Sequence, residues 1–353
     1  AALSDKQPRL AVCHIISSFH PVIAGAERAT QSLVGELRRR DHDVVVVTRR
    51  FDREWPRVER VDGIPVYRLG WPGRGKLNAL TFGIHAFALL AGRFRARRII
   101  HVQNIDTPLI VGMLARTLLR RRLVATIHGH TPIRGKNTTL RGRLRTGVMA
   151  RVVDLFTSIN PDNTAALVDL GVPRSRIHEV PNGVDMHVFR PPTGEERAAA
   201  RSALGLAPGG FVVVYIGRLI AWKRVDLLID AWARSEPGED DRLVVVGDGA
   251  EAEALRRIAA PSEPSVRLEG ARDRPVTYLQ AADAFVNASG DNQLEGEGLS
   301  VALLEAMAAG VPPVVTQGPG NDVVVEDGVT GLRFPVQDAD ALEQCLRRVR
   351  QDP

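Results

Sequence analysis

Short apolar runs alternate with amphipathic helical patterns along almost the whole chain, and this alternation limits the possible folds more than any other feature of the sequence. In the first half, the runs are rich in valine and isoleucine and cover residues 9–16, 43–48, 98–102, 123–127 and 155–159. Strands that are apolar on both faces are typical of parallel sheets covered by helices on each side. The pattern therefore predicts a series of βαβ units.

The alternation stops at residues 185–192, a proline-bearing segment without apolar periodicity, and then starts again. A helix is predicted at 223–234, and further strands are predicted at 211–216, 243–246, 284–287 and 313–316. A chain of 353 residues is also long for a single hydrophobic core. We therefore expect an α/β protein with two Rossmann-like, doubly wound parallel-sheet domains, residues 1–183 and 184–353, that face each other across a cleft.

The composition excludes several other classes of protein. Hydrophobic residues make up 44% of the chain and charged residues 25%, values that are typical of globular proteins rather than disordered ones. The two cysteines, Cys13 and Cys345, lie at opposite ends of the sequence, so we expect neither a disulfide framework nor a structural zinc site. With no signal-peptide pattern and no apolar segment of membrane-spanning length, a cytoplasmic protein is expected.

The charge is distributed unevenly along the chain. Residues 1–183 carry 30 basic and 14 acidic side chains, a net charge of +16, whereas residues 184–353 carry 17 and 27, a net charge of −10. The segment from Arg134 to Arg151 places six basic residues among apolar ones, which predicts a basic amphipathic helix. We expect it to contact an anionic membrane, at the inner surface, or a lipid-linked acceptor, and the alternative is a solvated basic face. No nucleic-acid partner is expected.

The loop 217–224 joins a predicted buried strand to an amphipathic helix and places Arg218 and Lys223 near the start of that helix. Cations are unfavourable at a helix N-terminus, because the helix dipole already makes that end positive. A bound anion would remove this conflict, since free backbone N–H groups and the two side chains could all contact it. The alternative is that Arg218 and Lys223 only form ion pairs with acidic residues on the surface.

A second candidate segment, residues 297–310, is apolar on every side from Leu299 onward except at Glu305. A helix that is apolar all round is a buried one, and a buried carboxylate needs a partner or a ligand. Glu297 and Gly298 precede this helix, beside backbone N–H groups that can hold a phosphate. The segment thus predicts a site for a ligand with hydroxyls and phosphates, and the alternative for Glu305 is an ion pair with a buried arginine.

The first half offers weaker candidates. Gly25 opens the first predicted helix and would let a ligand approach the backbone closely. The sequence His128-Gly129-His130 ends a strand and could form a metal pair, but no histidine follows His187 to complete such a site from the second half. The Asp-x-Asp triplets at 41–43 and 338–340 are better interpreted as a turn and a helix cap. We expect no bound metal.

Four motifs are spread along the chain, namely Ala24-Gly25-Ala26-Glu27, Pro181-Asn182-Gly183-Val184-Asp185, Gly217-Arg218-Leu219 with Lys223, and Glu297-x7-Glu305-Ala306-Met307. In combination they resemble family 4 of the retaining glycosyltransferases, which have the GT-B fold, and the resemblance covers almost the whole chain. It implies transfer of a sugar from a nucleotide-diphosphate sugar, UDP- or GDP-linked, to a sugar, natural-product or lipid-linked acceptor. The anomeric configuration would be retained, and no metal or other cofactor would be required.

The resemblance also implies roles for single residues. Arg218 and Lys223 match the cations that bind the diphosphate, and Glu305 matches the glutamate that holds the donor ribose. Further matches are Glu297 near the sugar hydroxyls, with Gly298 and Leu299 beside it, Gly25 facing the phosphate, and His128 near the reacting centre. The chain departs from the family at Ala24, where the first glycine of a pair is usual, and at 317–322, which replaces the commoner Gly-Gly-x-Pro-Glu stretch.

Two alternatives remain open at the level of sequence. One is an NAD-dependent oxidoreductase, because the glycines from Gly247 to Gly249 follow a strand in a G-x-G-x-x-A pattern and Glu269 lies 20 residues beyond Gly249. That interpretation leaves Arg218, Lys223 and Glu305 without a role. The other is a nucleotide-binding or membrane-surface adaptor that has lost activity.

Overall fold

The computed structural model describes residues 8–22, 25–128, 140–272, 275–290 and 299–352, with side chains in the helix that begins at Leu140 described from Thr146 onward. Contacts between residues divide the chain into two compact units, Ala1–Pro181 and Asn182–Pro353. No helix of the described residues is long and apolar enough to cross a membrane.

The first unit contains an eight-stranded sheet. Its strands are β1 (Ala11–Ile15), β2 (Asp43–Arg49), β3 (Val58–Val61), β4 (Ile64–Leu69), β5 (Ile99–Gln103), β6 (Arg122–Ile127), β7 (Leu155–Ser158) and β8 (Ile177–Glu179), and their spatial order is β3-β4-β2-β1-β5-β6-β7-β8. All pairs are parallel except β3 with β4. The order along the chain reverses around β1, which has β2 on one side and β5 on the other.

Helices cover this sheet on both faces. They are α1 (Gly25–Arg39), α2 (Lys76–Ala91), α3 (Thr107–Leu118), α4 (Leu140–Val152) and α5 (Pro161–Asp169). Local sequence explains where α5 begins, because the Asn160 side chain accepts a hydrogen bond from the Asn163 backbone N–H and Pro161 occupies the first turn. Two apolar cores result, one on each side of the sheet, and they make the central strands apolar on both faces.

The second unit has a six-stranded, wholly parallel sheet. Its strands are β9 (Val212–Ile216), β10 (Arg242–Val246), β11 (Val266–Gly270), β12 (Ala284–Asn287), β13 (Pro313–Thr316) and β14 (Leu332–Phe334), in the order β11-β10-β9-β12-β13-β14. Numbered from its first strand, this is the 3-2-1-4-5-6 order of a Rossmann fold. The helices are α6 (Gly194–Ala203), α7 (Val225–Arg234), α8 (Ala252–Ala259), α9 (Val276–Ala281), α10 (Val301–Ala308) and α11 (Ala339–Gln351).

The predicted fold class, two doubly wound α/β domains, is confirmed. The strands that the sequence did not predict are β3, β4, β8, β11 and β14, and these lie at or next to a sheet edge. They bury fewer residues than central strands do, so their apolar runs are short or interrupted: β4 alternates buried and partly buried positions, and β14 has three residues. The helix predicted at 223–234 begins at Val225, because Arg224 has a left-handed backbone with φ of 49°.

Two glycines, Gly247 and Gly249, allow the loops after β9 and β10 to touch through their backbones. A Cβ atom added to Gly247 would lie 1.8 Å from the Gly217 carbonyl oxygen, and one added to Gly249 would lie 2.2 Å from the Leu219 carbonyl oxygen. Backbone hydrogen bonds join the same loops, from the Leu219 N–H to the Asp248 carbonyl at 2.9 Å and from the Glu251 N–H to the Leu219 carbonyl at 2.9 Å. The loop that carries Arg218 is therefore fixed by direct backbone contact.

We predict that Gly249→Ala lowers the free energy of unfolding by about 2–3 kcal/mol, because the new methyl group has to displace a backbone carbonyl. The matched control is Gly209→Ala, since a Cβ at Gly209 would meet no atom within 4 Å. Urea denaturation of both variants measures the difference. Equal stability of the two variants would contradict the close contact between the loops.

Candidate functional site

The candidate site of the second unit lies at the carboxyl edge of its sheet, where β9 and β12 are neighbours. The chain leaves β9 toward β10 on one side and leaves β12 toward β13 on the other. This reversal separates the two outgoing loops and creates a crevice, which is where doubly wound sheets bind ligands. Arg218 and Lys223 follow β9, whereas Leu299 and Glu305 follow β12.

Arg218 is held at the start of the loop that follows β9. The Tyr215 hydroxyl donates a hydrogen bond of 3.0 Å to the Arg218 carbonyl, so a buried strand residue fixes the backbone at this point. The Arg218 side chain is exposed and makes no hydrogen bond or ion pair with another described residue. Its guanidinium therefore has its donors available, and the alternative of a surface ion pair is not found within the described part of the chain.

Lys223 ends a short 3₁₀ turn, Ala221–Lys223, just before α7. Its Nζ lies 4.3 Å from the centroid of the Trp222 ring, a cation–π contact. The neighbouring Arg224 is engaged differently, because its guanidinium forms an ion pair of 3.0 Å with Asp226. Asp226 thus neutralises Arg224, whereas Lys223 lies against the ring of Trp222.

Hydrogen bonds connect the carboxyl ends of three adjacent strands. The Gly290 N–H, after β12, donates to the Trp222 carbonyl at 2.6 Å. The hydroxyl of Thr316, at the end of β13, donates to the Ser289 carbonyl at 2.9 Å. The buried Asn321 side chain in turn donates to the Thr316 carbonyl at 2.8 Å. The edge that carries the candidate residues is therefore a rigid frame.

Helix α10 follows this frame and presents the predicted buried carboxylate. The Ser300 side chain caps the helix by accepting a hydrogen bond from the Leu303 N–H, and Leu299 is buried immediately before it. Glu305 lies in the second turn and is 4% exposed. The Leu299 carbonyl accepts a hydrogen bond of 3.0 Å from Asn182, within the same unit. Glu297 and Gly298, the two other candidates of this segment, lie outside the described residues.

In the first unit, Gly25 begins α1 beyond the carboxyl end of β1. A Cβ added to Gly25 would meet no atom of the described residues within 4 Å. Polar side chains surround this helix start: the Ser18 hydroxyl donates a hydrogen bond to Glu27, and the Ser17 hydroxyl donates one to Asp106, which follows β5. Ser17 and Ser18 lie in the loop after β1 and Asp106 lies in the loop after β5, so these loops meet where the strand order reverses around β1.

His128 follows β6 at the same edge of the first sheet. Its ring Nε2 lies 2.7 Å from the Gln103 Oε1, and its backbone N–H donates to the Asn104 Oδ1 at 3.3 Å. Burial lowers the pKa of His128 to about 4, so the imidazole is neutral at neutral pH. Gln103 and Asn104 were not predicted as site residues, although two polar residues directly after an apolar run are a signal that could have identified them.

A row of polar side chains crosses the first sheet, and none of its residues was predicted from the sequence. His14 on β1 is fully buried, and its ring centroid lies 4.8 Å from that of His101 on β5. His101 Nε2 is 2.6 Å from the Thr126 hydroxyl on β6, which is 2.6 Å from the Thr157 hydroxyl on β7. Neither ring nitrogen of His14 has a hydrogen-bond partner within the described residues. Only strand register brings these four residues together.

Two other expectations can be compared with the structure. The glycines of the G-x-G pattern at 247–249 are explained by the close contact with the loop after β9, and Glu269 forms ion pairs with Arg267 and Arg272. Asp338 caps α11, as predicted, by accepting a hydrogen bond of 2.9 Å from the Ala341 N–H. Among the described residues, no group of three or more His, Cys, Asp or Glu side chains could hold a metal ion.

The basic segment from Arg134 to Arg151 is described only in part. Helix α4 covers Leu140–Val152, but residues 134–139 and the side chains of 140–145, which carry most of the basic groups, lie outside the described residues. Met149 is buried in the core of the unit, whereas Val148 is exposed. The predicted membrane contact of this segment stays a prediction.

Both doubly wound sheets thus carry polar groups at the reversal point of their strand order, which is where such sheets bind ligands. Residues 24–183 match the family profile described as "Glycosyl transferase 4-like domain", and residues 210–352 match the profile described as "Glycosyl transferases group 1". Together the two profiles cover most of the chain.

Individual proteins give the same result. The chain is 29% identical over 357 residues to the GDP-mannose-dependent alpha-(1-6)-phosphatidylinositol monomannoside mannosyltransferase of Mycolicibacterium smegmatis, covering 96% of this chain and 89% of the relative. It is 33% identical over 242 residues to the D-inositol 3-phosphate glycosyltransferase of Nocardia farcinica, covering 63% of this chain and 52% of that protein. The structure of Anabaena HepE in complex with UDP and glucose superposes with a TM-score of 0.77 at 20% identity, over 98% of this chain and 90% of that one.

The chain therefore belongs to family 4 of the glycosyltransferases, with the GT-B fold, and uses nucleotide sugars in carbohydrate biosynthesis. The family and the activity predicted from the sequence motifs are confirmed at this level. The comparisons give no support to the oxidoreductase alternative, and the packing of Gly247 and Gly249 removes the sequence argument for it.

The buried histidines of the first unit predict a loss of stability in acid. Burial lowers the pKa of His101 and His128 to about 4 and that of His14 well below its usual value. Below about pH 6.5 these histidines bind protons in the unfolded chain but not in the folded chain. The free energy of unfolding should therefore fall as pH drops from about 6.5 toward 4. Each histidine contributes a slope of at most about 1.4 kcal/mol per pH unit.

Urea denaturation at several pH values measures this slope. His14→Phe should reduce it, because the variant no longer has this site to protonate on unfolding. The matched control is His178→Asn, which replaces an exposed histidine on β8 and removes no buried side chain. A His14→Phe slope equal to that of the wild type would show that protonation of His14 is not coupled to unfolding.

Proposed function

We propose that the protein transfers a hexose from a nucleoside-diphosphate sugar to an acceptor with retention of anomeric configuration and without a required metal ion. Residues 184–353 would bind the donor and residues 1–183 the acceptor. The observation that carries this proposal is the position of Arg218, Lys223 and the start of α10 on the two loops that leave the reversal point of the second sheet. Nucleotide ligands of doubly wound sheets bind at such a point.

Arg218 and Lys223 would bind the donor diphosphate. The exposed Arg218 guanidinium offers a fork of N–H donors that matches phosphate oxygens, and the Lys223 ammonium adds a second charge. At an effective dielectric constant of 20, one such pair at 4 Å is worth about 4 kcal/mol before desolvation is subtracted. Because hydrogen bonds fix the loop that carries both cations to the end of β12, this charge is in place before the transition state forms.

The segment after β12 would bind the rest of the donor. Glu305, buried in α10, would accept hydrogen bonds from the ribose hydroxyls, and Glu297 would contact the hydroxyls of the transferred sugar. The backbone N–H groups of Gly298 and Leu299 precede the capped start of α10 and would donate to a phosphate. These assignments follow the motif match and agree with a buried carboxylate that needs polar partners.

From the first unit, Gly25 would contribute its backbone N–H to a phosphate, and the lack of described atoms within 4 Å of an added Cβ supports this assignment. His128 would act near the donor sugar as a neutral imidazole, held by Gln103 and Asn104. In the reaction, the acceptor oxygen forms a bond to the anomeric carbon as the bond to the diphosphate oxygen breaks. The leaving diphosphate takes the acceptor proton on the same face, and the two cations stabilise its growing charge.

The relatives suggest which donor and acceptor to test first. Their names specify GDP-mannose as a donor, and phosphatidylinositol monomannoside and D-inositol 3-phosphate as acceptors. We therefore favour a GDP- or UDP-linked hexose and an acceptor built on a phosphate-linked polyol, free or attached to a lipid. A lipid-linked acceptor would place the protein at the inner membrane surface, where the segment from Arg134 to Arg151 could contact anionic lipid.

Donor choice can be tested by measuring nucleotide release from UDP-, GDP- and ADP-sugars, since slow hydrolysis without an acceptor already identifies the donor. Release from one of these donors is the expected result. Absence of release from all of them, with and without phosphorylated inositol acceptors, would contradict the proposed reaction.

The cation assignment predicts that Arg218→Ala or Lys223→Ala lowers the rate constant about a hundredfold, because each variant loses a charge-assisted contact worth about 2–3 kcal/mol. The matched control is Arg257→Ala, an exposed arginine on α8, which should keep wild-type turnover. Steady-state kinetics of the three variants measure the effect. Wild-type turnover in both loop variants would remove the diphosphate assignment.

A further inference from the structure

A second pocket, of about 360 Å³, lies at the carboxyl edge of β2 and β4 in the first unit. Its lining residues come from the loop after β2, the loop after β4 and helix α2, and they are Arg50, Arg53, Arg57, Gly70, Trp71, Pro72, Thr81 and His85. None of them has a role in the donor site proposed above. The pocket therefore needs an explanation of its own.

One buried side chain joins the two loops that form this pocket. Asn78 is 2% exposed, and its amide donates hydrogen bonds of 2.7 Å to the Arg50 carbonyl and 2.7 Å to the Trp71 carbonyl. Its side-chain oxygen Oδ1 accepts a hydrogen bond of 2.5 Å from Arg49. Gly70 turns the second loop with φ of 95°, where an added Cβ would lie 3.0 Å from the Asn78 carbonyl oxygen. The pocket is thus preorganised rather than an accidental gap between loops.

The three arginines of the pocket have different tasks. The Arg50 guanidinium donates a hydrogen bond of 2.8 Å to the Trp55 carbonyl and another to the Arg53 carbonyl, so it holds the loop in shape. Arg53 and Arg57 are exposed, and their side chains make no hydrogen bond or ion pair with the rest of the described chain. Two guanidiniums with free donors thus line one cavity.

Carboxylates of the same loop do not occupy this cavity. Asp52 and Glu54 are exposed, and Asp52 Oδ1 accepts a hydrogen bond of 2.9 Å from the Glu54 backbone N–H. Neither residue is among those that line the pocket. The pocket keeps an excess of positive charge, to which the imidazole of His85 adds a further hydrogen-bond donor.

The wall of the pocket continues into an exposed apolar surface. Trp71 is 56% exposed, and Leu77, Leu80 and Ile84 of α2 are about as exposed at spacings of three and four residues. Side chains at this spacing form one stripe along a helix. An aromatic ring and an apolar stripe beside free arginines match a ligand that carries both an anionic group and an apolar part.

We propose that this pocket binds the phosphate of a phosphate ester that also carries an apolar group. The guanidiniums of Arg53 and Arg57 contact the phosphate oxygens, because a planar fork of N–H donors matches a tetrahedral oxyanion bidentately. The Trp71 indole covers the ester side, and the stripe on α2 contacts the apolar part. The phosphate belongs either to a lipid headgroup in a bilayer or to a free ester.

The pocket opens at the same edge of the first sheet as Gly25 and His128, since β1, β2, β4 and β6 all run parallel. We assign the bound ester to the acceptor substrate on this ground. That assignment rests on the proposed function, whereas the binding of phosphate does not.

The test compares the wild type with Arg53→Gln/Arg57→Gln and with Arg95→Gln/Arg98→Gln, a control that loses the same charge at exposed positions outside the pocket. Vesicles of phosphatidylcholine, with and without phosphatidylglycerol, measure binding to a lipid headgroup. Calorimetry with dihexanoyl phosphatidic acid below its micelle concentration measures binding to a free ester, and hexanoate supplies the same chain with a carboxylate.

We expect the pocket variant to bind at least one phosphate probe about tenfold more weakly than the wild type, and the control variant to bind it normally. Binding to vesicles alone assigns the phosphate to a lipid, and binding to the soluble ester assigns it to a free ligand. Wild-type affinity in the pocket variant, equal binding of hexanoate, or no binding of either phosphate probe by the wild type would overturn the proposal.

Nucleotide release from the donor without acceptor separates this inference from the proposed function. The pocket variant should retain that release, because none of its altered residues belongs to the donor site. A wild type that releases nucleotide but binds no phosphate ester refutes only the pocket. A wild type that binds the ester through Arg53 and Arg57 but turns over no sugar nucleotide refutes only the proposed function.

Discussion

The backbone contact between the loops after β9 and β10 is the constraint on which the second unit depends. Gly247 and Gly249 bring two main chains so close that no side chain fits between them, and hydrogen bonds then join the same loops. Because the contact uses backbone atoms alone, it fixes the path of residues 217–224 while leaving the Arg218 side chain in solvent. A site that binds anions requires this combination of a rigid backbone and available donors.

Hydrogen bonds also fix the chain at the end of β12. The Gly290 N–H, the Ser289 carbonyl and the Thr316 hydroxyl connect the loop after β9 with the ends of β12 and β13. Helix α10 starts with a side-chain cap at Ser300 and carries Glu305 into the interior. A buried carboxylate is costly unless it has polar partners, so the one acidic residue of so apolar a helix requires such partners.

The first unit places more polar groups in its interior than its apolar strands suggest. His14, His101, Thr126 and Thr157 form a row across four strands, and Asn78 holds two loops together by three hydrogen bonds. Burial lowers the pKa of His14 and His101 in this row, whereas Asn78 supports an open pocket with free arginines. The same sheet therefore has neutral polar side chains in its interior and positively charged arginines at its carboxyl edge.

Much of this protein could be predicted from its sequence. Continuous apolar runs identified the central strands of both sheets, because burial on two faces leaves a signal in every residue of a strand. Strands at or next to a sheet edge, such as β4 and β14, were not predicted, since their burial is partial and their runs are short. Arg218, Lys223 and Glu305 could be selected as candidates, because a cation at a helix start and a carboxylate in an apolar helix conflict with stability when taken alone.

The tertiary structure decided what lies beside what. The reason for Gly247 and Gly249 is a carbonyl of another loop, the partner of His128 is Gln103 from the preceding strand, and the pocket of Arg53 and Arg57 closes only when Asn78 joins two distant segments. Such contacts connect residues that are remote in sequence, so no local pattern records them. Amino-acid order alone determined the central strands and which charges are out of place, because both leave a local pattern, whereas packing determined the edge strands and the partners of each side chain.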